Sequence, residues 1–177
     1  MAKKDYSSSG NDYKTPPELY EKLLYFAGIE KFDLDVCCSE YNIPAKKYND
    51  VFYTDGLNTD WIGDCFLNPP FKETAKWVKK AVESVDKYKT RTNVFAILPA
   101  DRFETKYYQK YIINNSDCVF AFLPGKQGFI IPSHENEPVI PSQKIIIVIF
   151  TKVSEIFVEA WNSSNLFGTK AFIGIKD

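Results

Sequence analysis

The sequence predicts an α/β protein, with a mostly parallel central sheet, helices on both faces and an antiparallel hairpin towards the C-terminal end. Two observations predict it. Short apolar runs alternate with stretches of helical spacing along most of the chain. Those runs are apolar throughout, as strands covered on both faces are, and do not alternate apolar with polar.

The elements follow in order. Residues 1–12 are polar, include Ser7-Ser8-Ser9-Gly10 and read as a flexible segment, leaving 13–177 as one domain. In "TPPELYEKLLYFAG" Thr15 reads as an N-cap, Pro16 as the first helical residue and Glu18 as the partner in a Thr-x-x-Glu capping box. Gly28 is the stop, so a helix is predicted over Pro16–Ala27. "KFDLDVCC" reads as a strand ending near Asp35 and Cys37. A short strand at Val51–Tyr53 precedes a turn at Asp55-Gly56. "DCFL" is a strand stopped by Asn68-Pro69-Pro70. "KETAKWVKKAVESVDKY" has helical spacing, with Trp77, Val78, Ala81, Val82 and Val85 on one side. "NVFAILP" is a strand, Phe103–Ile113 a helix and "CVFAFLP" another strand. In "KQGFIIPSHENEPVIPSQKIIIVIF" a strand, a long polar loop and a very apolar strand follow one another. A helix at Ser154–Asn162 and a strand at Ala171–Ile175 complete the chain.

Composition narrows the function. With 45% hydrophobic and 25% charged residues, 177 residues suffice for one packed core. Net charge is -1, so any affinity for nucleic acid must come from a local basic surface. The four cysteines (Cys37, Cys38, Cys65 and Cys118) form no CxxC pair, and His134 is the single histidine. No metal site is expected. Cysteines inside apolar runs indicate a reducing, intracellular compartment. No secretory leader and no membrane-length apolar run are read.

The strongest chemical signal is "CFLNPPF". In α/β sheets ligands bind beyond the carboxyl ends of strands. Asp35, Asn68 and Pro99-Ala100-Asp101 are all expected there, converging on one crevice. Pro-Pro could simply end a strand and begin a helix. The arrangement also suits an exocyclic amine, a poor nucleophile because its lone pair is delocalised into the ring. The Asn68 side-chain carbonyl and the Pro69 main-chain carbonyl would accept its two N–H bonds. That pulls the nitrogen towards a tetrahedral shape, with the prolines holding the turn rigid. Phe71 offers a face on which the base stacks, worth about 1–3 kcal/mol.

Taken in order, "YKTPPELYEKL", "FDLDVCC", "YTDGLNTDW", "CFLNPPF" and a Trp in the following helix resemble the phage-type DNA N6-adenine methyltransferase family, over roughly Tyr13–Ile149. The resemblance implies a Rossmann-like methyltransferase fold, S-adenosyl-L-methionine as cofactor and double-stranded DNA as partner. It also implies a phage or prophage setting in a bacterial cytoplasm. It implies Asn68, Pro69, Pro70 and Phe71 as the catalytic loop. Asp35 and Cys37 would lie at the cofactor's methionine portion, and Asp55 near its adenosine. Tyr13, Thr15 and Pro16 would belong to a segment closing over the cofactor. Thr15 and Pro16 also have a complete role as a helix cap, and Asp55 as a turn residue. The chain departs from larger methyltransferases in lacking glycines after its first strand, where "DVCCSEYN" stands.

The target base would be flipped from the duplex. Lys126 and Gln127 in "LPGKQGF" are candidates to contact phosphate and an adenine edge, or to form a plain turn. The loop Pro132–Pro141 is acidic and less suited to DNA. Other targets of the same loop chemistry are RNA, cytosine N4 and a protein amide. A catalytically inactive relative that binds DNA is the non-enzymatic alternative. The sequence does not give the oligomeric state.

Overall fold

The computed structural model describes residues 15–38, 43–50, 55–125, 129–130, 138–139 and 144–175. Helix α1 (Pro17–Ala27) ends as expected at Gly28, whose φ is 68°, and Ile29 N–H reaches back to the Leu24 carbonyl. Its start differs from the expectation. Pro17 forces Pro16 into extended backbone (ψ 138°), so Pro16 is the N-cap, with no side-chain cap bond. The Thr15–Glu18 capping box does not form. Glu18 instead pairs with Lys22 at 3.0 Å.

Nine strands and three further helices follow among the described residues. They are β1 (Phe32–Cys38), β2 (Ala45–Asp50), β3 (Gly63–Leu67), α2 (Thr74–Tyr88), β4 (Thr92–Pro99) and α3 (Lys106–Tyr108). Then come β5 (Cys118–Phe122), β6 (Phe129–Ile130), β7 (Pro138–Val139), β8 (Ile145–Phe150), α4 (Ser154–Ser164) and β9 (Phe172–Ile173). A π-helical turn, Gln109–Ile113, extends α3. Strand β2 has no counterpart in the sequence reading. Its residues, Ala-Lys-Lys-Tyr-Asn-Asp, carry no apolar pattern because it is an edge strand. The strand expected at Val51–Tyr53 lies outside the described residues, as do Tyr13, Lys126, Gln127, His134 and most of the Pro132–Pro141 loop.

The main sheet has the order β2-β1-β3-β4-β8-β5-β9. From β2 to β4 every pairing is parallel. From β4 to β9 every pairing is antiparallel, with β8 running between β4 and β5. The expected mostly parallel sheet is therefore half of the structure. The run "IIIVIF" of β8 is apolar because both faces are covered, which burial imposes on parallel and antiparallel strands alike. The antiparallel pairing expected towards the C-terminal end is present in the main sheet, where β5 pairs with both β8 and β9. The hairpin-like antiparallel pair is the separate β6–β7.

Alternation along β4 shows the layers. Val94, Ala96 and Leu98 join a core with Trp77, Val78, Ala81 and Val85 of α2 and Tyr108 of α3. Phe95 and Ile97 join a second core with Leu19, Leu23 and Leu24 of α1 and Trp161 of α4. Helices thus cover both faces. The chain leaves β1 for β2 on one side and returns to β3 on the other, which puts the switch point at the carboxyl ends of β1 and β3.

Candidate active site

Strand register brings the central residues together. Asp35 of β1 lies beside Phe66 of β3, and Phe66 belongs to the core under α1. Two residues further on, Asn68 continues on the same face and meets the start of α1. There its Nδ2 donates to the Thr15 Oγ at 3.0 Å. Thr15 is 4% exposed. Its hydroxyl, not needed as a cap, is held against an amide 53 positions away. Phe71 packs, half-buried, against the same core. Part of its ring is thus structural.

Cys37 approaches from the neighbouring strand. The β1–β2 register shifts between Asp35 and Cys38, and Val36 and Cys37 both pack on the α2 side of the sheet. Such an irregularity re-aims a side chain. Here the Cys37 thiol donates to the Asn68 main-chain carbonyl at 3.2 Å. The residue after β3 is therefore held twice, its side chain by Thr15 and its main chain by Cys37. Along the turn, Pro70 carbonyl accepts from Glu73 N–H and Phe71 carbonyl from the Thr74 hydroxyl, both at 2.9 Å. Among the described residues no donor reaches the carbonyl of Pro69.

Asp35 is not the strand-end residue the sequence suggested. It is the fourth of seven residues in β1 and only 5% exposed. Cys37 N–H donates to its Oδ1 at 3.3 Å, its one hydrogen bond among the described residues. Among the described residues no cation pairs with it, and burial pushes its pKa up to about 7 against that single opposing bond.

Asp55 sits at the edge of this constellation with both oxygens engaged. Leu57 N–H donates to Oδ1 at 3.1 Å and Asn58 Nδ2 to Oδ2 at 2.8 Å, which makes Asp55 the cap of a short 3-10 turn. Gly56 is the reason the turn lies close to β1, because a Cβ there would collide with the Val36 carbonyl. Beneath it Trp61 and Trp77 stack with centroids 6.0 Å apart, and both belong to the core. Trp77 Nε1 is the one buried side-chain polar atom without a partner among the described residues.

The crevice is narrower than expected. Asp101 is exposed and pairs with Arg102, and no hydrogen bond joins it to Asn68 or Asp35. Pro99 is occupied by the Tyr108 hydroxyl. What sequence reasoning missed is the Thr15–Asn68 bond. The signal was present in Thr-Pro-Pro, since the second proline displaces the helix start and releases the threonine. Among the described residues no group of His, Cys, Asp and Glu could hold a metal ion, and no helix is long and apolar enough to cross a membrane.

Comparison with known proteins gives one family. The model of the family described as DNA N-6-adenine-methyltransferase (Dam) matches residues 3–165. No curated protein matches the chain.

Proposed function

Because the chain belongs to the DNA N-6-adenine-methyltransferase family, we propose that it methylates the N6 amine of adenine in double-stranded DNA through the Asn68–Phe71 turn. The family carries the adenine and DNA part of this reading. The observation that carries the site is the turn itself: Asn68 held by Thr15 and Cys37, followed by a Pro69 carbonyl with no donor among the described residues.

With Nδ2 turned to Thr15, the Asn68 amide presents its acceptor, Oδ1, in the other direction. That acceptor and the Pro69 carbonyl would take the two N–H bonds of the amine and expose its lone pair. Both are preorganised, so little reorganisation is needed as charge develops. The exposed part of Phe71 would support the flipped base, with loss of a few kcal/mol of stacking in the duplex.

The residues fit S-adenosylmethionine. Asp35 is a nearly buried carboxylate without a counter-ion among the described residues, and the amino acid part of that cofactor brings an ammonium. Bound there, the cofactor supplies a methyl group activated on a sulfonium. Asp35 would hold the ammonium beside the carboxyl end of β1, and Cys37 would keep that end registered to Asn68. Asp55 and Gly56 would border the adenosine. Tyr13 would belong to the closing segment, and Lys126 and Gln127 would contact DNA.

The test is incubation of the protein with DNA and S-adenosylmethionine, followed by nucleoside mass spectrometry, alongside Asn68→Ala. N6-methyladenine is expected from the wild type. A loss of about 100- to 1000-fold is expected for the variant, as for removal of one preorganised polar group. N4-methylcytosine would correct the base. Absence of product on DNA with cofactor bound would overturn the DNA reading.

A further inference from the structure

We propose that Thr15 is a positioning residue for methyl transfer: its hydroxyl takes the donor end of the Asn68 amide and so turns the acceptor end towards the substrate amine. This rests on the proposed role of Asn68, and it gives Thr15 a task different from cofactor contact.

The chemistry turns on the asymmetry of an amide. One end accepts and the other donates, and a half-turn about the last side-chain bond exchanges them. An Asn that presented its NH2 to an exocyclic amine would oppose two N–H donors. The side chain therefore needs something that engages Nδ2. Thr15 does this at 3.0 Å, from a nearly buried position.

Its placement does not depend on a mobile tip. Thr15 stands two residues before α1, whose Leu19, Leu23 and Leu24 anchor the helix in the core. The hydroxyl is not diverted to helix capping, because the Leu19 and Tyr20 N–H groups are served by the Pro16 carbonyl. On the other side the Cys37 thiol fixes the Asn68 main chain. With its main chain held by Cys37 and its Nδ2 engaged by Thr15, the Asn68 amide is oriented by elements distant in sequence. Positional errors of about 1 Å at such a group can cost about 100-fold in rate.

The experiment compares Thr15→Val, which keeps the shape and removes the hydroxyl, with Thr15→Ser, which keeps the hydroxyl. Single-turnover methylation at saturating S-adenosylmethionine is measured together with cofactor Kd, melting temperature and the side-chain amide NMR signals of Asn68. Those signals are identified by their loss in Asn68→Ala. Thr15→Val should slow transfer about 10- to 100-fold with Kd and melting temperature near wild type. It should also shift the Asn68 amide signals and speed their hydrogen exchange. Thr15→Ser should restore most of the rate.

Three outcomes would overturn the proposal: a weakened Kd with an unchanged saturated rate, which makes Thr15 a cofactor contact; a Ser variant as slow as Val, which makes the methyl group the important part; or unmoved Asn68 amide signals in Thr15→Val. The NMR arm needs no turnover. If the wild type fails to methylate DNA, the functional reading falls while the Thr15–Asn68 link is still decided by those signals.

Discussion

Two aspartates stand two residues apart on β1 and are treated in opposite ways. Asp33, at the amino end, is provided for by the protein. Lys46 Nζ donates to its Oδ1 at 2.7 Å and Asp64 N–H to its Oδ2 at 2.8 Å. Burial alone would raise its pKa, but the Lys46 bond, the Asp64 bond and the Lys46 charge outweigh it, so the carboxyl is held below its ordinary value. The neighbourhood is closed in the same manner, with Asn93 Nδ2 on Asp64 Oδ1 at 2.9 Å. A shallow cavity of about 250 Å³ lies there, lined by Glu30, Lys31, Asp33, Lys46 and Asp64 among others. Asp35, deeper in the same strand, has one backbone N–H and no cation among the described residues. A carboxylate paired within the fold is structural. A buried one without a counter-ion is costly until something outside the fold supplies the charge, and such groups cluster at functional sites.

The largest expected effect is on stability against pH. The folded pKa of Asp35 is raised from 3.8 to about 7. Between those values the folded state holds a proton that the unfolded state has released, so stability falls as pH rises. The whole loss, of the order of 4 kcal/mol at one pKa unit per 1.36 kcal/mol, is reached above pH 7. Asp35→Asn should match wild type near pH 4 and exceed it increasingly up to pH 8 in denaturant titrations without cofactor. Asp33→Asn should show the opposite sign. The contribution of Asp33 is present above its unfolded pKa and disappears as pH falls through its folded one. Parallel pH curves for the two variants would break the comparison.

The next effect is on cofactor affinity. If the ammonium of S-adenosylmethionine supplies the absent charge, binding tightens as pH rises through about 7, where Asp35 ionises. Near pH 6 binding releases a proton, visible by calorimetry in buffers of different ionisation enthalpy. Asp35→Asn should weaken binding about 10- to 150-fold, the range of about 1.5–3 kcal/mol for a charged hydrogen bond, and flatten the pH dependence. Asp33→Asn should leave Kd unchanged. An unchanged Kd in Asp35→Asn would remove Asp35 from the site.

The same contrast explains what the sequence made legible. Gly28, the Pro-Pro stop after Leu67 and the buried side of α2 follow local rules, and they stand where expected. The turn after β3 was legible for the same reason, since Asn-Pro-Pro-Phe carries its own geometry. Long-range placement was not. Nothing local distinguishes the antiparallel β8 from a parallel strand. Nothing in "FDLDV" says that the first aspartate meets Lys46 while the second is sealed in. The Thr15–Asn68 bond joins residues 53 positions apart, and the sequence offered the nearer role of a cap.

The smallest effect concerns the amino end and sharpens the comparison by testing its independence. Gly63 has φ 91°, and a Cβ there would run into the Asp33 side chain. Gly63→Ala should therefore cost about 1–3 kcal/mol from backbone strain, and it should loosen the Asp33 bond to Asp64 N–H. Gly28→Ala also meets a positive φ but nothing within 4 Å, so it isolates the backbone part. The excess loss in Gly63→Ala over Gly28→Ala, read from denaturant midpoints, measures how much the paired carboxylate contributes. In protein that remains folded, cofactor Kd should be unaffected, because Gly63 and Asp33 lie at the end of the strands away from Asn68. A fall in affinity that tracked the stability loss would mean that the two ends of β1 act as one unit. The contrast between its aspartates would then be one of degree.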